Sequence, residues 1–240
     1  MRLSSGVRRY TARSMAMTPE LALWRKSERA TLIARRLGAA AADRATWSAR
    51  IEEHLRAGFP LLGGLVVGFC WPFQGEFDAR TVVREIRHRG ARAVLPVVVA
   101  KGQPLEFHEW WPGVPMVTGA YDVPVPHGTV ALVPQALLIP AVGVGDRGDR
   151  LGYGGGFFDR TLAALAPRPL TIALAFELSR IPSTDPQPHD ILMDFVITEA
   201  GIAASVPGGL EAVDAAEAAR RAEALLRQRG LPQAAIGKSN

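Results

Sequence analysis

Cysteine is almost missing from this chain. Cys70 is the one example among 240 residues, so no intramolecular disulfide can form and the core must hold by packing alone. Cys70 lies in an apolar run with no activating base beside it, which predicts a buried, inert thiol in a reducing compartment, the cytoplasm. Long hydrophobic stretches are also missing. With no apolar run near the roughly 18 residues a span requires, no membrane-crossing segment is expected. The opening stretch has no acidic residue before Glu20 and no apolar centre of the kind that secretion requires. It is rich in Arg and Ser, like an organelle transit peptide, yet Met15 and Met17 stand just ahead of the first helix signal. Residues 1–17 therefore read as a disordered leader or an over-extended start.

Basic residues outnumber acidic ones, 28 to 23, for a net charge of +5. Much of the excess comes from Arg2, Arg8, Arg9 and Arg13, and the rest is mixed with acids along helical stretches. No basic stripe interleaved with aromatics occurs, so neither nucleic acid nor a membrane surface is an expected partner. What the chain does have is apolar material. A 48% hydrophobic fraction is enough to form one core, and no polar or repetitive stretch divides it. The expected organisation is a single domain over 18–205, followed by a surface helix and tail over 206–240.

Thr18, Pro19 and Glu20 combine a cap, a first-turn proline and an early acid, predicting a helix that runs to about Ala42. A second helix is expected over 44–57, with Trp47, Ile51, His54 and Leu55 on one face. From Gly63 the pattern changes to short apolar runs. Strands are predicted over 65–70, 93–99, 136–140, 170–176 and 194–198, with a β-rich excursion over 105–110. Helices are expected over 79–89, 157–166 and 214–228. This alternation implies an α/β fold, a three-layer α/β/α sandwich around a mostly parallel, Rossmann-like sheet, with ligands at the carboxyl ends of its strands.

The densest chemical signal runs from Gly143 to Arg160, G-V-G-D-R-G-D-R-L-G-Y-G-G-G-F-F-D-R. It follows a strand and opens a helix, where backbone amides and the helix dipole can meet an anion. Glycines there let phosphate oxygens approach the backbone more closely than a Cβ permits. Arg150 supplies a fixed charge, and Asp159 is placed to hold a metal against phosphates. The standard nucleotide fingerprints fail: Phe157 stands where a third glycine belongs, and no Gly-Lys-Ser/Thr occurs. On this evidence alone a phosphate loop and a plain tight strand-to-helix turn both remain open.

The stretch Arg150-Leu151-Gly152-Tyr153-Gly154-Gly155-Gly156-Phe157-Phe158-Asp159-Arg160 closely resembles the signature of the 5-formyltetrahydrofolate cyclo-ligase family. Other family landmarks follow in order. Arg25 and Arg29 resemble its basic pair on the first helix, and 71–78 (W-P-F-Q-G-E-F-D) resembles its substrate-contacting segment. Phe107 to Trp110 with Pro112-Gly113, and His189-Asp190 through Glu199, resemble two more, so the likeness runs from about Trp24 to Glu199.

The resemblance implies ATP-dependent, magnesium-dependent cyclisation of 5-formyltetrahydrofolate to 5,10-methenyltetrahydrofolate, by a monomer or weak homodimer. Arg150 and Tyr153 are the implied catalytic residues. ATP contacts are implied for Arg25, Arg29 and each residue from Arg150 to Phe158, namely Leu151, Gly152, Tyr153, Gly154, Gly155, Gly156 and Phe157 besides Arg150 and Phe158. Folate would meet Trp71, Glu76 and Phe157, and magnesium would meet Asp159 and Asp190. Two positions depart from the family pattern: Arg25 where many members have lysine, and Phe157 where many have tyrosine. A non-cyclising paralogue that binds folate or nucleotide in a regulatory or sequestering role is the alternative. A sugar-phosphate isomerase or acyl-CoA transferase, suggested by fold alone, lacks a convincing base or nucleophile.

Without the resemblance, the same residues have ordinary readings. Arg25 and Arg29 at i and i+4 describe a solvated helix face, Trp71 and Trp110 describe core, and His189 describes a loop-stabilising residue.

Overall fold

The first helix begins as its sequence dictates. In the computed structural model, which describes residues 17–231, Thr18 Oγ1 accepts the backbone N–H of Leu21 at 3.3 Å and caps α1 (Pro19–Gly38). The helix does not continue to residue 42. Ala39 and Ala40 are extended, and Arg44 donates to the terminal carbonyls of α1 at Arg36 and Leu37 from within α2 (Ala41–Gly58). A tertiary contact thus replaces the helix that an Ala-rich stretch favours. Of the expected leader, residues 1–17, all but Met17 lie outside the described residues.

A single 3₁₀ turn leads into β1 (Val66–Gly68), α3 (Arg80–His88) and β2 (Arg92–Val97). Next come β3 (Glu106–Trp110) and a ribbon of β4 (Met116–Thr118) and β5 (Pro124–Pro126). After β6 (Ala136–Pro140), a second ribbon of β7 (Gly143–Val144) and β8 (Arg150–Leu151) precedes α4 (Phe157–Ala164) and β9 (Leu170–Leu174). The described chain closes with β10 (Phe195–Thr198), β11 (Gly201–Val206), β12 (Gly209–Val213) and α5 (Ala215–Gln228).

The main sheet has the order β12-β11-β10-β9-β6-β1-β2-β3. The five strands from β10 to β2 are parallel; β3 at one edge and β11–β12 at the other are antiparallel. Both faces are covered, which is why the parallel strands read as unbroken apolar runs. Leu138, Ile172 and Phe195 pack with residues of α2, α3 and α5. Their neighbours Leu137, Ile139, Ala173 and Val196 pack on the opposite face with Leu162 of α4. This is the expected α/β/α sandwich. Trp110 belongs to its core, edge-on to Phe69 with ring centroids 5.1 Å apart.

The boundary expected after residue 205 falls inside β11. That strand pairs through Val206 with Gly209 of β12, and Ala218, Ala222 and Leu226 of α5 join the same core cluster as α2 and α3. The segment over 206–231 therefore completes the sheet and one helical layer. Among the described residues no helix is long and apolar enough to cross a membrane.

Candidate active site

Chain connections diverge between β1 and β6, because β1 proceeds to β2 on one side while β6 lies on the other. Such a switch leaves a crevice beyond the carboxyl ends of the strands. Cys70 and Trp71 follow β1 there, and Pro140 ends β6; all three line a cavity of about 900 Å³. That volume is at the upper end for small-molecule sites, which run from roughly 300 to 1,000 Å³.

The residues to which the resemblance gives a catalytic or binding role all border this one cavity: Arg25, Arg29, Trp71, Glu76, the loop from Arg150 to Phe158, Asp159 and Asp190. The glycine loop is shaped by its backbone. Gly154 has φ +93° and Gly156, at the N-cap of α4, has φ +63°, conformations that L side chains rarely adopt. A Cβ on Gly154 would also meet the Arg29 guanidinium at 3.3 Å.

Arg25 is not on a solvated face. It is 6% exposed, and it donates through Nε to the Thr184 carbonyl (3.1 Å) and through Nη2 to the Asp185 carbonyl (2.9 Å) and Asp190 Oδ2 (2.5 Å). Burial alone would push the Asp190 carboxyl up, but the Arg25 guanidinium and the Gln187 N–H hold it below the usual carboxylate range. One turn on, Arg29 Nε donates to the Gly152 carbonyl at 2.7 Å. Burial and the neighbouring Arg25 charge lower its pKa. These two arginines, with Arg150, bring cations to the end of the cavity where the glycine loop lies. Arg150 Nη2 donates to Asp159 Oδ2 at 3.1 Å, and Asp159 Oδ1 accepts the Ile191 N–H.

At the turn over 73–76, Glu76 accepts the Phe73 N–H at 3.1 Å and the Tyr153 hydroxyl at 2.7 Å. Burial raises the Glu76 pKa, while Tyr153, Arg36 and the Phe73 amide oppose the rise. Burial likewise pushes the Cys70 thiol up, aided by the Glu76 charge, although the residue is partly exposed and lines the cavity where its apolar sequence context predicted full burial. Trp71 carries Arg80 over its ring at 4.4 Å, and Phe157 lies edge-on to Tyr121 from the β4–β5 ribbon, 6.0 Å away.

Two contributors were not legible as site residues. Arg36, buried in α1, bonds to Tyr153. Its signal was spacing: Arg25, Arg29 and Arg36 fall at i, i+4 and i+11, one stripe of a helix. The ribbon reaches the cavity through Tyr121, Val123 and Val125, for which the sequence offered no chemical motif. His189 lines the cavity with an exposed ring 3.7 Å from Asp190.

A family model described as the 5-formyltetrahydrofolate cyclo-ligase family matches residues 22–199. The chain belongs to the 5-formyltetrahydrofolate cyclo-ligase family. A 5-formyltetrahydrofolate cyclo-ligase of Mycolicibacterium smegmatis is 29% identical over 150 residues, covering 59% of this chain and 77% of that one. One from Escherichia coli K12 is 31% identical over 110 residues, covering 43% and 60%. Among solved structures, the 5,10-methenyltetrahydrofolate synthetase of Aquifex aeolicus superposes with a TM-score of 0.65 at 20% identity, covering 74% of this chain and 91% of its own. That of Mycoplasma pneumoniae gives 0.61 at 19%, covering 73% and 98%. At these identities the two structures speak for the shared fold. The cyclo-ligase match takes in the cavity lining from Arg25 to Asp190.

Asp159 and Asp190 fit the magnesium that the family implies, as a site completed by phosphate. Magnesium commonly takes one or two carboxylates plus substrate phosphates. Both carboxylates border the cavity, and Asp190 Oδ1 lies beyond hydrogen-bond length from His189. Among the described residues no group of three or more His, Cys, Asp or Glu forms an all-protein cage.

Proposed function

We propose that this protein converts 5-formyltetrahydrofolate and ATP to 5,10-methenyltetrahydrofolate, ADP and phosphate. The observation that carries the reading is one cavity bordered at once by the glycine loop, the three arginines and the Trp71–Glu76 turn, so that both substrates can meet in it. In this reading Arg25, Arg29, Arg150 and the amides of the loop from Leu151 to Phe158 hold the triphosphate. Trp71, Phe157 and Glu76 orient the pteridine, with the Glu76 carboxylate accepting ring N–H groups.

The formyl oxygen attacks the γ-phosphorus and ADP departs. N10 then bonds to the former formyl carbon and loses its proton, and phosphate leaves with the former formyl oxygen. The chain's part is to align the groups and to stabilise charge, without a covalent protein intermediate. Magnesium at Asp159 and Asp190 would neutralise phosphate charge. In this reading Arg150, which pairs with Asp159, follows the transferring phosphoryl group. Tyr153 acts through the hydrogen bond it gives Glu76. A cytoplasmic location and a monomer or weak homodimer complete the proposal, and the lone Cys70 is in keeping with a reducing compartment.

The test mixes the full chain with 5-formyltetrahydrofolate, ATP and magnesium and follows the methenyl-folate absorbance band. A rise that needs all three additions is the expected result. Folate or nucleotide binding without any rise would instead support the non-cyclising paralogue, and Phe157→Tyr would then be the first reversion to examine.

A further inference from the structure

Arg36 is 2% exposed, and a buried guanidinium is costly unless its donors are matched. It has donors only, so every bond it makes fixes a direction. Nε donates to the Gln74 carbonyl at 2.9 Å, and Nη2 donates to the Tyr153 hydroxyl at 2.8 Å. The single phenolic proton is thereby committed to Glu76 Oε1, 2.7 Å away. The Arg36 charge itself stands 4.0 Å from that same oxygen. Glu76 Oε2 is taken by the Phe73 amide, and the Phe73 ring lies edge-on to Tyr153 with centroids 5.6 Å apart. Gln74 and Gly75 both have positive φ, 47° and 75°, so the turn that Arg36 grips is a tight one.

We propose that Arg36 is a positioning residue that locks the Glu76 turn to the glycine loop through Tyr153, so that the pteridine and phosphate ends of the cavity are held as one unit. The inference rests on the cyclo-ligase reading and deepens it, since Arg36 is not among the residues that line the cavity. The groups facing Glu76 are Arg36 from α1, Tyr153 from the loop after β8, and the neutral Cys70 thiol after β1. Each carboxylate oxygen keeps a further lone pair, so the lock leaves Glu76 able to accept from a ligand. It also favours the charged carboxylate that burial disfavours.

Tyr153→Phe, Arg36→Lys, Arg36→Gln and the Tyr153→Phe/Arg36→Gln double variant test this in the full chain. Phe keeps the Tyr153 ring, which is 44% exposed, so this variant removes only the bonds of the hydroxyl. Affinity for 5-formyltetrahydrofolate is measured by calorimetry across acid to neutral pH, and KM is measured for folate and for ATP. Tyr153→Phe is expected to weaken folate about tenfold, the effect of losing one hydrogen bond to a charged group. The acid limb of its binding profile should move to higher pH, because Glu76 then protonates sooner. Arg36→Lys should recover part of the loss, as one ammonium keeps the charge but lacks the fork. The double variant should be no worse than Arg36→Gln alone.

Unchanged folate affinity and an unmoved acid limb in Tyr153→Phe would overturn the lock, as would fully additive losses. A wild-type protein that binds no folate would remove the cyclo-ligase reading and this inference with it. A wild type that cyclises while Tyr153→Phe matches it would remove the inference alone.

Discussion

Asp194 ties the last helix to the sheet, and its replacement should be among the most destabilising single changes in the chain. Its carboxylate accepts from Arg229 Nη1 (2.8 Å) and Nη2 (2.6 Å), from Arg168 Nη2 (2.9 Å), and from the Thr171 amide (2.8 Å) and hydroxyl (2.9 Å). The Asp194 side chain is 6% exposed and Arg229 15%, whereas Arg168, at 38%, is substantially screened by water. Removing one partner of a buried pair costs about 3–5 kcal/mol, and the screened Arg168 pair adds at most about 1 kcal/mol. Asp194→Ala should therefore cost about 4 kcal/mol, against total stabilities that run about 5–15 kcal/mol. For a chain of this size each kcal/mol moves Tm by roughly 2–4 °C, so the expected drop is about 8–16 °C. Asp194→Asn keeps an oxygen acceptor and should lose about half as much. Melting followed by circular dichroism reads both. A drop below about 3 °C in Asp194→Ala would show that the arginines find other partners and that the cluster is not what fastens α5.

Gly154→Ala forces a side chain into a left-handed backbone against Arg29, and should weaken ATP binding at least tenfold in a nucleotide titration while shifting Tm by only a few degrees. Asp159→Asn should weaken magnesium-dependent ATP affinity and leave the fold intact; equal affinity in mutant and wild type would remove the metal role. Burial acts to raise the Asp78 pKa, but hydrogen bonds from Arg80 take it below the ordinary value. Its contribution to stability is thus present above the unfolded carboxylate pKa and lost as pH falls through the lower folded value. Acid titration of Tm should accordingly be shallower in Asp78→Asn than in wild type.

The parallel core was legible because strands such as β9 are buried on every residue and read as apolar runs between turn signals. β11 and β12 were not. Their sequences, GIAASV and GLEAV, are short, small-residue and glycine-led, and their identity as strands comes from antiparallel pairing at an edge rather than from any strong local preference. The end of α1 was misjudged for a related reason: Ala39 to Ala42 favour helix, and the break is held by contacts that Arg44 makes after the chain turns. At the site, the glycine motif announced the loop, and family landmarks announced Arg25, Arg29 and Glu76. Arg36 escaped notice because a helical arginine is usually solvated, and its partners lie 38 and 117 residues away in sequence.

The helix α1 carries a consequence for how this sequence can vary in length. Arg25 grips the loop at 184–190, Arg29 the carbonyl of Gly152, and Arg36 the turn at Gln74, all from a stripe about 40° wide and about 16 Å long. Inserting or deleting one residue between Arg25 and Arg36 would swing everything beyond it by about 100° and detach at least one of the three. The register of this helix is therefore fixed to the single residue, whereas the exposed loop at 99–103 can grow or shrink freely. Length differences among relatives should gather in that loop and be absent from the helix.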